Sequence, residues 1–94
     1  MFAEVRESPA VKQILDDLWD QGRTDLVERI EDCFDDIRER RASARQHHFR
    51  NTDLLPREAW GVVIADRGQR WMLVWNETEP GVATVHGIAL TKTF

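Results

Sequence analysis

The chain has 94 residues, of which 41% are hydrophobic and 32% charged, a composition typical of one small globular domain. Mixed charge and a 9% aromatic content exclude a disordered chain. A single cysteine, Cys33, excludes an internal disulfide. No apolar run approaches the roughly 18–20 residues that span a bilayer, and charged residues stand where a secretory signal would be apolar. The sequence therefore predicts one domain over residues 1–94, located in the cytoplasm.

The net charge of −4 is distributed unevenly along the chain. Residues 1–37 hold four basic and eleven acidic side chains, whereas residues 38–70 hold eight basic and four acidic ones. A basic middle can contact an anionic surface even in an acidic protein. The acidic total argues against sequence-blind nucleic-acid binding, which depends on the summed neutralisation of phosphates.

Two helices are predicted after a short strand over residues 2–7. Ser8 is placed to cap the first helix, with Pro9 at its first position, and Gly22 is placed to end it. Thr24 is the expected cap of the second helix. The apolar face of the first helix consists of Val11, Ile14, Leu15, Leu18 and Trp19, and that of the second of Leu26, Val27, Ile30, Cys33, Phe34 and Ile37. Because only two residues separate them, the helices are expected to form an antiparallel hairpin.

The second half of the chain predicts a basic loop followed by strands. Residues 42–58 lack periodicity and are interpreted as a long loop, a kind of segment that is often functional. Residues 60–65, 71–75 and 82–90 then form a three-stranded antiparallel meander. The middle strand, which is apolar throughout, is expected to be covered on both faces. The predicted fold class is α+β, in the order β-α-α-β-β-β.

This order of secondary-structure elements and the local sequence resemble those of the RelE/ParE toxin superfamily of type II toxin–antitoxin pairs. The segment EVRESPAVKQILDDL resembles the family's first strand and its Ser/Thr-Pro helix start, and the hairpin WGVVIADRGQRWMLVW followed by VATVHGIALTKTF resembles its aromatic-led meander. The resemblance implies a bacterial toxin that inhibits growth by ribosome-dependent mRNA cleavage or by acting on DNA gyrase. It also implies neutralisation by a cognate protein antitoxin.

Three positions depart from the mRNA-cleaving members of that family. Where these typically carry an arginine on the first meander strand, this chain has Val62 or Val63. Where they carry a second arginine it has Met72, and in place of a terminal tyrosine it has Phe94. Attack by a ribose 2′-OH requires a base, an acid and cations around the phosphate. Enzymatic activity is therefore left open, and the gyrase-directed branch gains by comparison.

The basic loop supplies the candidate target-binding residues, with a solvated loop as the alternative. They are Arg41, Arg45, His47, His48, Arg50 and Arg57. The adjacent histidines are poorly spaced to share one ion, so no metal is predicted, and nothing in the sequence indicates a cofactor.

Arg70 and His86 are the candidate residues for a relocated catalytic site. Arg70 shares a strand face with Met72 and can supply a cation, and His86 can act as acid or base near neutral pH. The alternatives are a surface arginine beside a turn and a hydrogen-bonded strand histidine. Three functions thus remain: a toxin, a catalytically degenerate RelE-fold binding module that sequesters a protein partner, and an mRNA interferase built on these two residues.

Overall fold

A computed structural model of the chain describes residues 1–49 and 58–91. Within these ranges it contains two α-helices, a short 3-10 turn and five strands. In chain order they are β1 (Glu4–Glu7), α1 (Pro9–Asp20), α2 (Thr24–Arg38), the 3-10 turn (Ala42–Ala44), β2 (His47–Phe49), β3 (Ala59–Asp66), β4 (Gln69–Glu79) and β5 (Val82–Leu90). The α+β class predicted from the sequence is confirmed.

The five strands form one mixed sheet in the order β1-β5-β4-β3-β2. Strand β1 runs parallel to β5, and all other neighbours are antiparallel. The prediction of four strands is therefore wrong, whereas the predicted antiparallel meander is present as β3-β4-β5. The additional strand, β2, lies inside the segment that was predicted to be loop. Its three residues are too few for an alternating pattern, and they become a strand only by pairing with β3.

Two of the three predicted helix-boundary residues are confirmed. The Ser8 hydroxyl accepts a hydrogen bond from the Val11 amide (3.2 Å), so Ser8 caps α1 as predicted. Gly22 follows α1 with a φ of 74°, which favours glycine at a helix end. The prediction for Thr24 is wrong: Arg23 occupies the capping position, where its side chain makes no capping hydrogen bond, and Thr24 is already helical.

The core lies between the two helices and one face of the sheet, here called the inner face. Its largest fully buried side chains are Leu26, Ile30, Ile37, Leu73, Val11 and Val85. Trp75 is buried among them, while Trp60 and Trp71 are half-buried against the cluster. Trp19, in contrast, is 60% exposed. Neither helix in the described part of the chain is long and apolar enough to cross a membrane.

A buried carboxylate joins the start of α2 to the turn between β3 and β4. Asp66 is 6% exposed and forms ion pairs with Arg23, just before α2, and with Arg29 of α2 (3.7 Å). Arg29 also donates a hydrogen bond to the Ala65 carbonyl. These contacts fix the end of the β3–β4 hairpin that lies farthest from the Trp60–Trp75 pair.

Candidate functional site

The face of the sheet opposite the helices, here called the outer face, has an apolar centre. Successive strand residues point to opposite faces. Val62 is therefore buried on the inner face, and Val63 points outward. Val63 pairs with Met72, and both are half-buried, as is Val74. The middle strand was predicted to be covered on both faces. Its inner face is buried, whereas its outer side chains, Met72 and Val74, are only half-buried. Of the two valines that could match the family's arginine, Val63 is the one beside Met72.

Phe49 of β2 also lies on the outer face, packed across Gly61. A Cβ atom at Gly61 would stand 2.9 Å from a Phe49 ring carbon and 3.0 Å from the Met72 sulfur. The glycine thus allows β2 to bring an aromatic ring over the sheet, next to the apolar centre.

Arg70 lies in β4 and His86 in the neighbouring strand β5, and they do not form a common site. Arg70 pairs with Ala65 beside the β3–β4 turn. His86 lies where the β4–β5 register shifts, and its Nε2 is 2.6 Å from Asn76 Oδ1. Six positions separate Arg70 from Asn76, which is about 20 Å along a strand. Burial lowers the pKa of His86 below its ordinary value of 6.5, so its neutral form predominates near neutral pH.

The candidate target-binding residues are divided between different surfaces. Exposed Arg41 forms ion pairs with Asp36 (2.7 Å) and Glu39, so neighbouring carboxylates neutralise its charge. His47 is exposed and belongs to the outer face. Arg50 and Arg57 lie outside the described residues.

Arg45 and His48 converge on a single tryptophan. The His48 ring stacks on Trp60 with centroids 4.4 Å apart and an interplanar angle of 29°. The Arg45 guanidinium carbon lies 5.9 Å from the centroid of the same Trp60 ring. These two predicted residues therefore share one surface, whereas Arg41 and His47 do not belong to it.

That surface borders a cavity of about 440 Å³, here called the arginine–tryptophan cleft. It lies on the side of the inner face, at the end of β3 and β4 farthest from Asp66. Its lining residues are Phe2, Arg40, Arg45, Glu58, Trp60, Trp75, Glu77 and Pro80. Its volume is within the range of ligand-binding pockets.

Buried aromatic rings form the rigid base of the cleft. The Trp75 indole N–H donates a hydrogen bond to the Ala44 carbonyl (2.8 Å), which ties β4 to the 3-10 turn. Phe2 meets Trp75 edge to face, with ring centroids 5.8 Å apart. The Arg40 guanidinium carbon lies 3.8 Å from the Phe2 centroid. Arg40 is therefore held in place through contact with a buried ring.

The two carboxylates of the cleft already have polar partners within the protein. Glu77 lies 3.4 Å from Arg40 and accepts a hydrogen bond from the Gly81 amide (3.0 Å). Glu58 lies 3.1 Å from His48 Nε2. Arg45 forms no ion pair with any carboxylate among residues 1–49 and 58–91. The cleft thus contains one guanidinium group without an anionic partner in the described structure.

Of the residues that line this cleft, sequence reasoning identified only Arg45 as a site residue. Phe2, Arg40, Glu58 and Glu77 come from four separate parts of the chain, and no local pattern predicts that they meet. The only available signal was composition: arginines near the end of α2 and tryptophans at matching places in two paired strands. Trp60 and Trp75 are directly opposite each other in the β3–β4 register.

The remaining reactive groups give no second site. In the described part of the chain, no group of three or more His, Cys, Asp or Glu residues is placed to hold a metal ion. Burial, aided by Asp36 and Asp32, raises the pKa of the Cys33 thiol to about 11. Cys33 therefore carries little of the nucleophilic thiolate at neutral pH.

Comparison of the chain with protein-family models, with curated proteins and with solved structures finds no match.

Proposed function

We propose that this chain is a RelE/ParE-type toxin of a type II toxin–antitoxin pair, and that it inhibits growth by binding its target without cleaving RNA. The observation that carries the proposal is the apolar centre of the outer face, where Val63 pairs with Met72. In the mRNA-cleaving members these positions are expected to supply cations. DNA gyrase is accordingly the favoured target over ribosome-bound mRNA, and the protein acts in the cytoplasm.

The chemistry of RNA cleavage argues for the same choice. A 2′-OH attack requires a base, an acid and stabilisation of charge developing on the phosphate, all within contact of one scissile bond. Arg70 and His86 offer a cation and a base, but they lie on different strands, and Asn76 beside His86 is about 20 Å from Arg70 along β4. His86 is also hydrogen-bonded to Asn76, which is 3% exposed. A binding mechanism requires neither residue.

In this proposal the two surfaces have different partners. A cognate protein antitoxin buries the half-exposed apolar centre around Val63, Met72 and Val74, since apolar burial drives most protein association. Arg45 and His48, at the arginine–tryptophan cleft, contact the target. Cytoplasmic toxicity then depends on the cleft, and neutralisation depends on the outer face.

The proposal is tested by expressing the chain from a tightly controlled promoter in a bacterial host and measuring growth and the rates of DNA and protein synthesis. We expect growth arrest in which DNA synthesis falls before protein synthesis. The double variant Arg45→Ala/His48→Ala should grow normally at equal soluble expression. Arg67→Ala, which removes an exposed arginine at the opposite end of the β3–β4 hairpin, is the matched control and should remain toxic. Unchanged toxicity of the double variant would refute the assignment of the cleft.

A second candidate is a RelE-fold module that sequesters a protein partner and is not toxic. The half-buried apolar centre of the outer face favours it, because such a surface suits protein contact better than nucleic acid. Normal growth with abundant soluble protein, in a host that contains both gyrase and ribosomes, would support this module over the toxin.

A further inference from the structure

We infer that the arginine–tryptophan cleft binds a side-chain carboxylate of an acidic polypeptide segment. The inference deepens the proposed function by naming the chemistry of the bound partner, and it rests on that proposal for the claim that the partner is a macromolecule. Four features of the cleft lead to it: arginines beside aromatic rings, a costly backbone conformation, nearby carboxylates and an apolar wall.

One arginine of the cleft is held against an aromatic ring, and the other lies within cation–π distance of a second ring. Arg40 stacks over Phe2 at 3.8 Å, and Arg45 lies over Trp60 at 5.9 Å. A stacked guanidinium keeps its N–H donors at the edge of its plane, where they can form a bidentate pair with a carboxylate. Stacking also limits side-chain freedom before binding, which lowers the entropy that a ligand must overcome. The donors are therefore presented in advance of any ligand.

The backbone at Arg40 adopts a conformation that is costly for an arginine. Arg40 has a φ of 54°, in the left-handed region that favours glycine, at the position just beyond α2. An ordinary L residue in this conformation costs roughly 1–2 kcal/mol relative to the right-handed one. Costly conformations of this kind concentrate at functional sites. An arginine retained at a glycine position is consistent with a role for its guanidinium group in the cleft.

The charges of the cleft favour a carboxylate over a phosphate chain. Glu58 and Glu77 line the cavity, and the protein carries a net charge of −4. A strand of nucleic acid would bring several phosphates past these carboxylates, whereas one carboxylate can approach Arg45 alone. The Arg40–Glu77 pair, at 3.4 Å, shows that the cleft already accommodates one carboxylate beside a guanidinium group.

The remaining wall of the cleft is apolar and explains why a peptide fits better than a free acid. Half-buried Trp60 and exposed Pro80 line the same cavity as Arg40 and Arg45. An acidic residue with an apolar neighbour in sequence can pair with Arg45 and cover the Trp60 edge together. We expect a free acetate ion, which lacks the second contact, to bind weakly.

The test measures binding of short blocked peptides to the purified full chain by calorimetry, with tryptophan fluorescence as a second readout. The probes are a pentapeptide of alternating leucine and glutamate, the same peptide with glutamine in place of glutamate, and a 5′-phosphorylated oligothymidylate of similar length. We expect the glutamate peptide to bind at least about 10-fold more tightly than either of the others, because a charge-assisted bidentate pair is worth more than a neutral one.

Variants locate the binding within the protein. Arg45→Ala should weaken binding of the glutamate peptide about 10-fold, since Arg45 is the guanidinium that offers the new pair. Arg67→Ala should leave binding unchanged, and circular dichroism shows whether each variant is folded. Equal binding of the glutamine peptide, tighter binding of the oligothymidylate, or full binding by folded Arg45→Ala would each overturn the inference.

The peptide assay and the growth assay can fail independently. Peptide binding without growth arrest would leave the carboxylate site standing and refute the toxin. Growth arrest that depends on Arg45 and His48, without peptide binding, would support the toxin and refute a carboxylate ligand.

Discussion

Two arginines adopt the left-handed backbone conformation, for different local reasons. Arg67 (φ 49°) and Gly68 (φ 74°) are the two central residues of the β3–β4 turn, where positive φ at both positions matches the twist of the strands. Arg40 (φ 54°) ends α2, where its amide bonds to the Ile37 carbonyl and the Arg41 amide to that of Asp36. The backbone at both positions favours glycine.

Substitution at Arg40 separates the backbone preference from the side chain. Arg40→Gly and Arg40→Ala both remove the guanidinium group, but only glycine relieves the left-handed conformation. We expect Arg40→Gly to be more stable than Arg40→Ala by about 1 kcal/mol, measured by urea unfolding. The Arg67→Gly and Arg67→Ala pair should show a similar difference. An alanine variant as stable as its glycine counterpart would contradict the backbone conformation described at that position.

His86 predicts a pH dependence of stability. Burial lowers its pKa from 6.5, so the folded state binds this proton less tightly than the unfolded state. The unfolded state therefore takes up more protons as the pH falls below 6.5, and stability is lost down to the folded-state pKa. On acidification from about pH 7.5 to about pH 5, His86→Gln should lose less unfolding free energy than the wild type. An equal or larger loss in the variant would show that His86 is not the group responsible.

For individual residues, the sequence predicted which side chains belong to a site better than it predicted which side chains they contact. Arg45 and His48 were predicted to act together, and the structure brings both to Trp60. Their companions Phe2 and Glu77 are 75 positions apart in the numbering of the chain, and their meeting depends on the completed sheet. Arg70 and His86 were predicted to act together only because their side chains offer a cation and a base. In the structure they lie on different strands, and Asn76 beside His86 is six positions from Arg70 along β4.

Among the secondary-structure elements, the helices are the ones that local sequence patterns predict well. Their apolar stripes predicted both helices and much of the core, because a 3.6-residue period is a local property of the chain. Strand β2 has three residues and depends on the edge of β3, so no window of sequence indicates it. The parallel pairing of β1 with β5 could not be predicted either, because the sequence of a strand does not indicate whether its neighbour runs parallel or antiparallel to it.

The capping residues give a direct test at this scale. Ser8 accepts from the Val11 amide and donates to the His86 carbonyl (3.0 Å), whereas Thr24 is inside α2 and makes no capping bond. Ser8→Ala should therefore lower the unfolding free energy by about 1 kcal/mol or more. Thr24→Ala should change it by less than about 0.5 kcal/mol. Urea unfolding of the two single variants measures both, and an equal loss in Thr24→Ala would mean that Thr24 caps α2 in solution.

Across the whole molecule, the fold places two chemically different surfaces on opposite sides of one sheet. The inner side carries the helices and, at one end, a cleft in which Arg40 stacks on Phe2 and Arg45 lies within cation–π distance of Trp60. The outer side presents an apolar centre where RNA chemistry would require charge. The separation allows one partner to occupy the cleft while another covers the outer face, which is the arrangement expected of a toxin with a target and an antitoxin.

The central claim is that the chain arrests growth by binding, without cutting RNA. It is tested most directly by mapping RNA 5′ ends across the transcriptome of a bacterial host shortly after induction of the wild-type chain, alongside the growth curve. We predict growth arrest with no new 5′ ends inside coding sequences. New ends at codon-spaced positions that appear with the arrest, and that vanish in Arg70→Ala or His86→Ala, would contradict the claim and establish an mRNA interferase.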